Sequence, residues 1–188
     1  MKTKGILLAG VGGQGTILTS KILSEGLVQM GFDVKMSEIH GMSQRGGSVL
    51  SQVKFGTTVE SPVIEKGGAD ILAAFEEMEA LRYLPYLKKD GTAIVSRRQI
   101  PCLCSLTGRK NYPSGIGEEI SKKVKTIFTD AYEEAKKLGD VRTMNMIILG
   151  KVVKTADLCQ APWEEIIRAN VKKELLETDL KAFFLGSR

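Results

Sequence analysis

The stretch "GILLAGVGGQGT", Gly5 to Thr16, decides the fold. Its apolar run, Ile6 to Ala9, reads as a buried strand, and the glycines after it read as a tight turn. The next stretch, "TILTSKILSEGLVQMG", has apolar residues at Ile17, Leu18, Ile22, Leu23, Leu27, Val28 and Met30. That spacing is a helical period, and Gly31 ends it. "FDVKMSEI" follows as a second strand. Strand, helix and strand in this order predict a parallel pair joined by a crossover.

Gly10, Gly12 and Gly15 match G-x-G-x-x-G, directly after a strand and directly before a helix. Gly10 permits the tight turn. Gly12 and Gly13 keep side chains away where a ligand would approach. Gly15 lets the helix pack close to the strand. The free N–H groups from Gly12 to Thr16 then suit a phosphate or another anion. A second glycine-rich loop, "HGMSQRGGSV", follows the second strand. In a doubly wound sheet both loops emerge at the carboxyl edge. Gln14, His40, Ser43, Gln44 and Arg45 are therefore expected side by side, with Gly46 and Gly47 leaving bare backbone beneath Arg45. A guanidinium there suits phosphate, a carboxylate or a partner's carbonyls better than a nicotinamide.

Strand and helix patterns continue to alternate. "SVLSQVKFG" alternates like a strand, "VESPVIEKGGAD" is irregular or an edge strand, and "DILAAFE" is a strand. "EEMEALRYLPYLKKDG" is a helix bent or interrupted at Pro85, followed by a turn at Asp90-Gly91 and the strand "GTAIVSRR". "QIPCLCSLTGRKNYPSG" is a loop or short-strand region. After "IGEEISKKV" (helix) and "KTIFTDA" (strand) the remainder is helical, and its long Met-, Ile- and Val-rich helix is central. The fold class is α/β: residues 1–188 form a single domain around one doubly wound, mostly parallel sheet, with helices on both faces and a helical C-terminal part.

The 188 residues are enough for one full core, with 43% hydrophobic and 26% charged residues. No stretch offers a membrane span. The start reads as the first strand of a mature cytoplasmic protein rather than a signal peptide. The net charge of +5 is mild. Its clusters, "SRRQIP", "GRKNYP" and "SKKVK", suit solvated faces, a phosphate-bearing ligand or an acidic partner; no motif supports nucleic acid. The three cysteines make no disulfide framework. Cys102 and Cys104 share one face if in a strand, and Cys159 is remote, so the reading is reduced, packed thiols and no metal site.

"GVGGQG" followed by "SEIHGMSQRGGSV" resembles the gamma-type subunit of the 2-oxoacid:ferredoxin oxidoreductases, and the "HGMSQRGGSV" form points to the indolepyruvate branch of that family. "SPVIEKGGADILAAFE", "RTMNMIILG" and "ETDLKAFFLG" resemble its later blocks, so the likeness runs nearly end to end. Asp179 stands where the family often has asparagine, and "CLCSLTGRK" matches no family motif. The resemblance implies a Rossmann-like subunit of an enzyme that oxidatively decarboxylates an aryl 2-oxoacid, with coenzyme A and ferredoxin as co-reactants. It implies no catalytic residue and no tightly bound cofactor on this chain. Thiamine diphosphate, Mg and 4Fe-4S clusters are expected on a larger alpha subunit, which also meets ferredoxin. The cofactor-binding candidates, with coenzyme A the possible ligand, are Gly10, Gly12, Gly13, Gln14, Gly15, Thr16, His40, Ser43, Gln44, Arg45, Gly46 and Gly47. Two other readings stand beside this one. An autonomous NAD-type oxidoreductase would use Gly10, Gly12, Gly15 and Glu38. An assembly-only subunit would pack its loops on a partner and bind no ligand.

Overall fold

The computed structural model describes residues 2–41, 46–101 and 111–188. The strands are β1 (Lys4–Val11), β2 (Asp33–His40), β3 (Ser48–Gly56), β4 (Ala69–Ala74), β5 (Leu87–Ser96) and β6 (Lys125–Thr129). The helices are α1 (Thr16–Gln29), α2 (Glu77–Tyr83), α3 (Ile116–Ser121), α4 (Ala131–Lys137), α5 (Met144–Thr155), α6 (Trp163–Asn170) and α7 (Leu176–Gly186). The strands form one sheet in the order β2-β3-β1-β4-β5-β6. From β1 across to β6 every pairing is parallel. On the other side β3 is antiparallel to both β1 and β2.

The expected β1–β2 pair therefore does not form. The crossover through α1 skips one position, and β3 returns to fill the gap. Burial explains the choice. β3 has no exposed residue, whereas β2 exposes Lys35, Met36, Ile39 and His40 and takes the edge. A second difference lies after Pro85. The helix stops at Tyr83, a single 3-10 turn covers Leu84–Tyr86, and β5 already begins at Leu87. Proline cannot donate in a continuing helix. The Lys88 ammonium meets the Asp70 carboxylate, which also accepts from Gly5 N at 2.7 Å. The expected Asp90-Gly91 turn appears instead as a bulge within β5, where the register against β4 shifts between Ala69 and Ile71.

Alternation along β1 loads both faces of the sheet. Ile6 and Leu8 point to a core shared with α1, α5, α6 and α7, and Leu7 and Ala9 to one shared with α2 and α3. α5 is the central helix: Met144 to Gly150, Val152 and Val153 are all buried. Two close helix contacts exclude any larger residue. Gly26 of α1 lies against the Trp163 ring, and Gly150 of α5 lies on the α7 backbone at Phe183 and Gly186. Among the described residues no helix is long and apolar enough to cross a membrane.

Candidate functional site

The carboxyl ends of β1 and β2 flank the start of β3. Val11 pairs with Ser48 and His40 with Val49, which brings the two glycine loops together. Two backbone hydrogen bonds stitch them. Gly12 N donates to Gly47 O at 2.8 Å, and Gly46 N donates to Gly12 O at 3.4 Å. Ser43, Gln44 and Arg45 lie outside the described residues.

Within the first turn each residue has a separate task. A Cβ on Gly10 would stand 2.9 Å from the Gln14 Oε1 and 3.1 Å from the Phe75 Cβ. Gly10 therefore makes room for Gln14. The Gln14 Oε1 accepts from Val11 N at 2.7 Å, and its Nε2 donates to Phe75 O at 2.9 Å. The side chain thus ties the turn to the end of β4. Gly13 has a φ of +102° with nothing near it, and is exposed. Gly15 has a φ of +82°, and a Cβ on it would stand 2.6 Å from the Asn145 amide nitrogen. Gly15 therefore gives α1 clearance from α5, not from the strand that the sequence suggested.

α1 starts at Thr16, which is buried, with no side-chain cap and no acidic residue in its first turn. The first amides of a helix have no intrahelical partner, and the helix dipole leaves this end positive. They open into a pocket of about 410 Å³ lined by Gly12, Gly13, Gly15, Ile17, His40 and Val49, among others. Ile17 is 49% exposed at its mouth. His40 is exposed there too, and its ring Nδ1 lies 3.4 Å from Gly41 O. The pocket joins hydrogen-bond donors to an apolar wall, so it suits an anion carried on a partly apolar ligand. Beside it the Asn145 amide is buried, and its Oδ1 finds no hydrogen-bond partner among the described residues.

Glu38 does not take the place a dinucleotide-binding acid needs. It lies on β2, which β3 separates from β1, and its Oε1 accepts from the Ser20 hydroxyl at 3.4 Å.

The sequence reading passed over the acids that follow β4. Glu76, Glu77 and Glu79 are all buried. The Glu76 carboxylate accepts from Ile100 N at 3.0 Å, from Glu79 N at 3.0 Å and from the Tyr112 hydroxyl at 2.6 Å. Burial, then Glu76 itself, pushes the Tyr112 phenol above its ordinary range. The Glu77 Oε2 accepts from the Gln99 amide at 2.7 Å. The Glu79 carboxylate accepts from the Ser48 hydroxyl and, at 3.1 Å, from the Arg82 Nε. The available signal was three acids within "EEME", directly after an apolar strand, with a Glu-x-x-Glu cap spacing. Further along the same rim, Arg97 and Arg98 stack over the rings of Phe128 and Tyr132, at 4.5 and 3.6 Å. Cys102 and Cys104 lie outside the described residues, and Cys159 is a free, exposed thiol among the C-terminal helices.

The sequence pattern described as pyruvate ferredoxin/flavodoxin oxidoreductase matches residues 5–188. The chain is 37% identical over 194 residues to the indolepyruvate oxidoreductase subunit IorB of Pyrococcus horikoshii, covering 99% of this chain and 95% of that one. It is 36% identical to the Archaeoglobus fulgidus subunit of the same name, over 96% and 92% of the two chains. Among solved structures, a 2-oxoglutarate:ferredoxin oxidoreductase from Magnetococcus marinus, with 2-oxoglutarate, coenzyme A and succinyl-CoA bound, matches with a TM-score of 0.78 at 19% identity. That match covers 100% of this chain and 31% of the other. The gamma subunit of a keto/oxoacid ferredoxin oxidoreductase from Geobacter sulfurreducens matches with a TM-score of 0.71 at 24% identity, over 97% and 95% of the two chains. At these identities the two structures speak for the fold alone.

Proposed function

The chain belongs to the pyruvate ferredoxin/flavodoxin oxidoreductase family as an IorB-like subunit, and we propose that it receives coenzyme A at its glycine rim within an indolepyruvate-oxidising complex. The complete enzyme would convert an aryl 2-oxoacid, coenzyme A and oxidised ferredoxin into an aryl-acetyl-CoA, carbon dioxide and reduced ferredoxin. The observation that carries the reading is the uncapped, acid-free start of α1, opening into a pocket walled by bare glycine backbone.

The residues present fit an anionic ligand. The amides of Thr16, Ile17 and Leu18 would hold a phosphate, and Gly12 and Gly13 let it come close. Ile17, Leu18 and Val49 would cover apolar parts of the same ligand and keep water from them. Ser43, Gln44 and Arg45, which follow His40 in the sequence and lie outside the described residues, are the further donors we propose for the same ligand. Gln14 holds the turn in shape.

The residues do not fit an iron–sulfur cluster. Three cysteines cannot supply the four thiolates that such a cluster takes. The redox and decarboxylation chemistry therefore falls to the larger alpha subunit, which would carry thiamine diphosphate, Mg and the clusters and would meet ferredoxin. This chain's part is to bind, orient and enclose, as one domain over residues 1–188 in a cytoplasmic complex.

Gly13 offers a charge-specific test, because its Cα faces open space. Gly13→Asp and Gly13→Asn impose the same shape and nearly the same backbone strain, and differ by one charge. In the assembled enzyme oxidising indolepyruvate, Gly13→Asp should raise the KM for coenzyme A about tenfold over Gly13→Asn, the effect of a charge several ångströms from a phosphate. Added salt should narrow the gap. Equal KM values for the two variants, with equal assembly, would remove the ligand from this rim and leave the loops as assembly elements.

A further inference from the structure

Among the described residues, the two glycine loops are stitched together by backbone around Gly12, and a buried acid stands where the outer loop enters the sheet. Ser48 is the first residue of β3, directly after Gly46-Gly47, and it pairs with Val11 at the end of β1. Its hydroxyl donates to the Glu79 Oε2 and lies 3.1 Å from the Tyr83 hydroxyl. Glu79 is 4% exposed, and its other oxygen accepts from the Arg82 Nε at 3.1 Å. Among the described residues, Ser48 is the hydrogen-bond partner that ties the Glu79 side chain to another element.

A buried carboxylate is a costly way to fill space. Its desolvation is only partly offset by Arg82, whose side chain is 55% exposed. An apolar residue would fill this buried position on α2 as well. What an apolar residue cannot do is hold the Ser48 hydroxyl.

We propose that Glu79 is a positioning residue. Through Ser48 it sets Gly46 and Gly47 against Gly12 and so fixes the shape of the pocket at the start of α1. This rests on the reading of that pocket as the coenzyme A site.

The test uses the assembled enzyme with indolepyruvate and coenzyme A. Glu79→Ala and Ser48→Ala should each raise the KM for coenzyme A about tenfold, in line with loss of a hydrogen bond to a charged group. kcat at saturating coenzyme A should change less than about twofold in both, since neither residue touches the reacting atoms. The double variant should be no worse than either single one, because both remove the same tie. Glu79→Gln, whose amide oxygen still accepts from Ser48, should recover most of the loss. Additive effects in the double variant, or an unchanged KM in Ser48→Ala while Gly13→Asp still raises it, would overturn the role of Glu79 and spare the site. An unchanged KM in Gly13→Asp as well would overturn the site itself, and the role of Glu79 with it.

Discussion

Replacing Asp179 by asparagine should stabilise the protein, and by an amount that depends on pH. Asp179 sits in the first turn of α7 and is 5% exposed. Burial raises its carboxyl from 3.8 to about 6; Asp140 adds repulsion, and Arg142 opposes the rise. Arg142 cannot compensate fully, because its guanidinium already pairs with Asp140, with one contact at 2.6 Å. The folded state thus binds the Asp179 proton more tightly than the unfolded chain does. The stabilisation linked to that proton is complete below pH 3.8 and is lost as pH rises through about 6. A shift of this size corresponds to about 3 kcal/mol at a pH of about 8. The start of a helix favours a negative charge, so the realised gain is smaller, about 1–2 kcal/mol. An asparagine side chain has the same shape and no charge. Denaturant unfolding of Asp179→Asn against the native chain should show a gain of about 1–2 kcal/mol at a pH of about 8, or roughly 2–8 °C in Tm, shrinking to nothing near a pH of about 4. A gain of the same size at both pH values would refute the argument, since it would come from packing rather than from titration.

Other substitutions probe the parts that hold the rim in place. Gln14→Ala removes the tie from the first turn to Val11 N and Phe75 O; chemical denaturation should show a loss of about 1–3 kcal/mol. Gly150→Ala puts a methyl group into the α7 backbone, and thermal unfolding should show at least the ~1–3 kcal/mol loss of an overpacked core. Trp163→Phe removes the outer indole atoms that lie against Gly26 and leaves Leu158 O without the indole donor now at 2.8 Å; unfolding in urea should show a loss of at least about 1–3 kcal/mol with an unchanged m-value.

The sequence disclosed the strand–turn–helix at the rim because glycine spacing and apolar periodicity agree there. It also disclosed the helical C-terminal part and the approach of Gly46 and Gly47 to the first glycine turn at Gly12. The order of the strands was harder. "SVLSQVKFG" carries Ser51 and Gln52 at its centre, so it reads as half-exposed. In the fold both are buried, and the Gln52 amide is used between Ile64 N and the Ser37 hydroxyl. A central strand disguised by buried polar residues cannot be told from an edge strand by periodicity alone. The same disguise hid Glu76 and Glu79. Charged residues at the start of a short helix look like solvated surface until the neighbours that bury them, Ile100, Tyr112 and Ser48, are known. Gly15 shows a subtler limit. Its need for glycine was legible, but the reason lies in Asn145, far along the chain.

A structure of the assembled complex with coenzyme A bound tests the central claim most directly. The account predicts a phosphate oxygen within hydrogen-bonding distance of the Thr16, Ile17 or Leu18 amides, with the Gly12–Gly47 hydrogen bond intact beside it. Coenzyme A phosphates held wholly by the larger subunit, with the start of α1 facing solvent or a partner side chain, would contradict it.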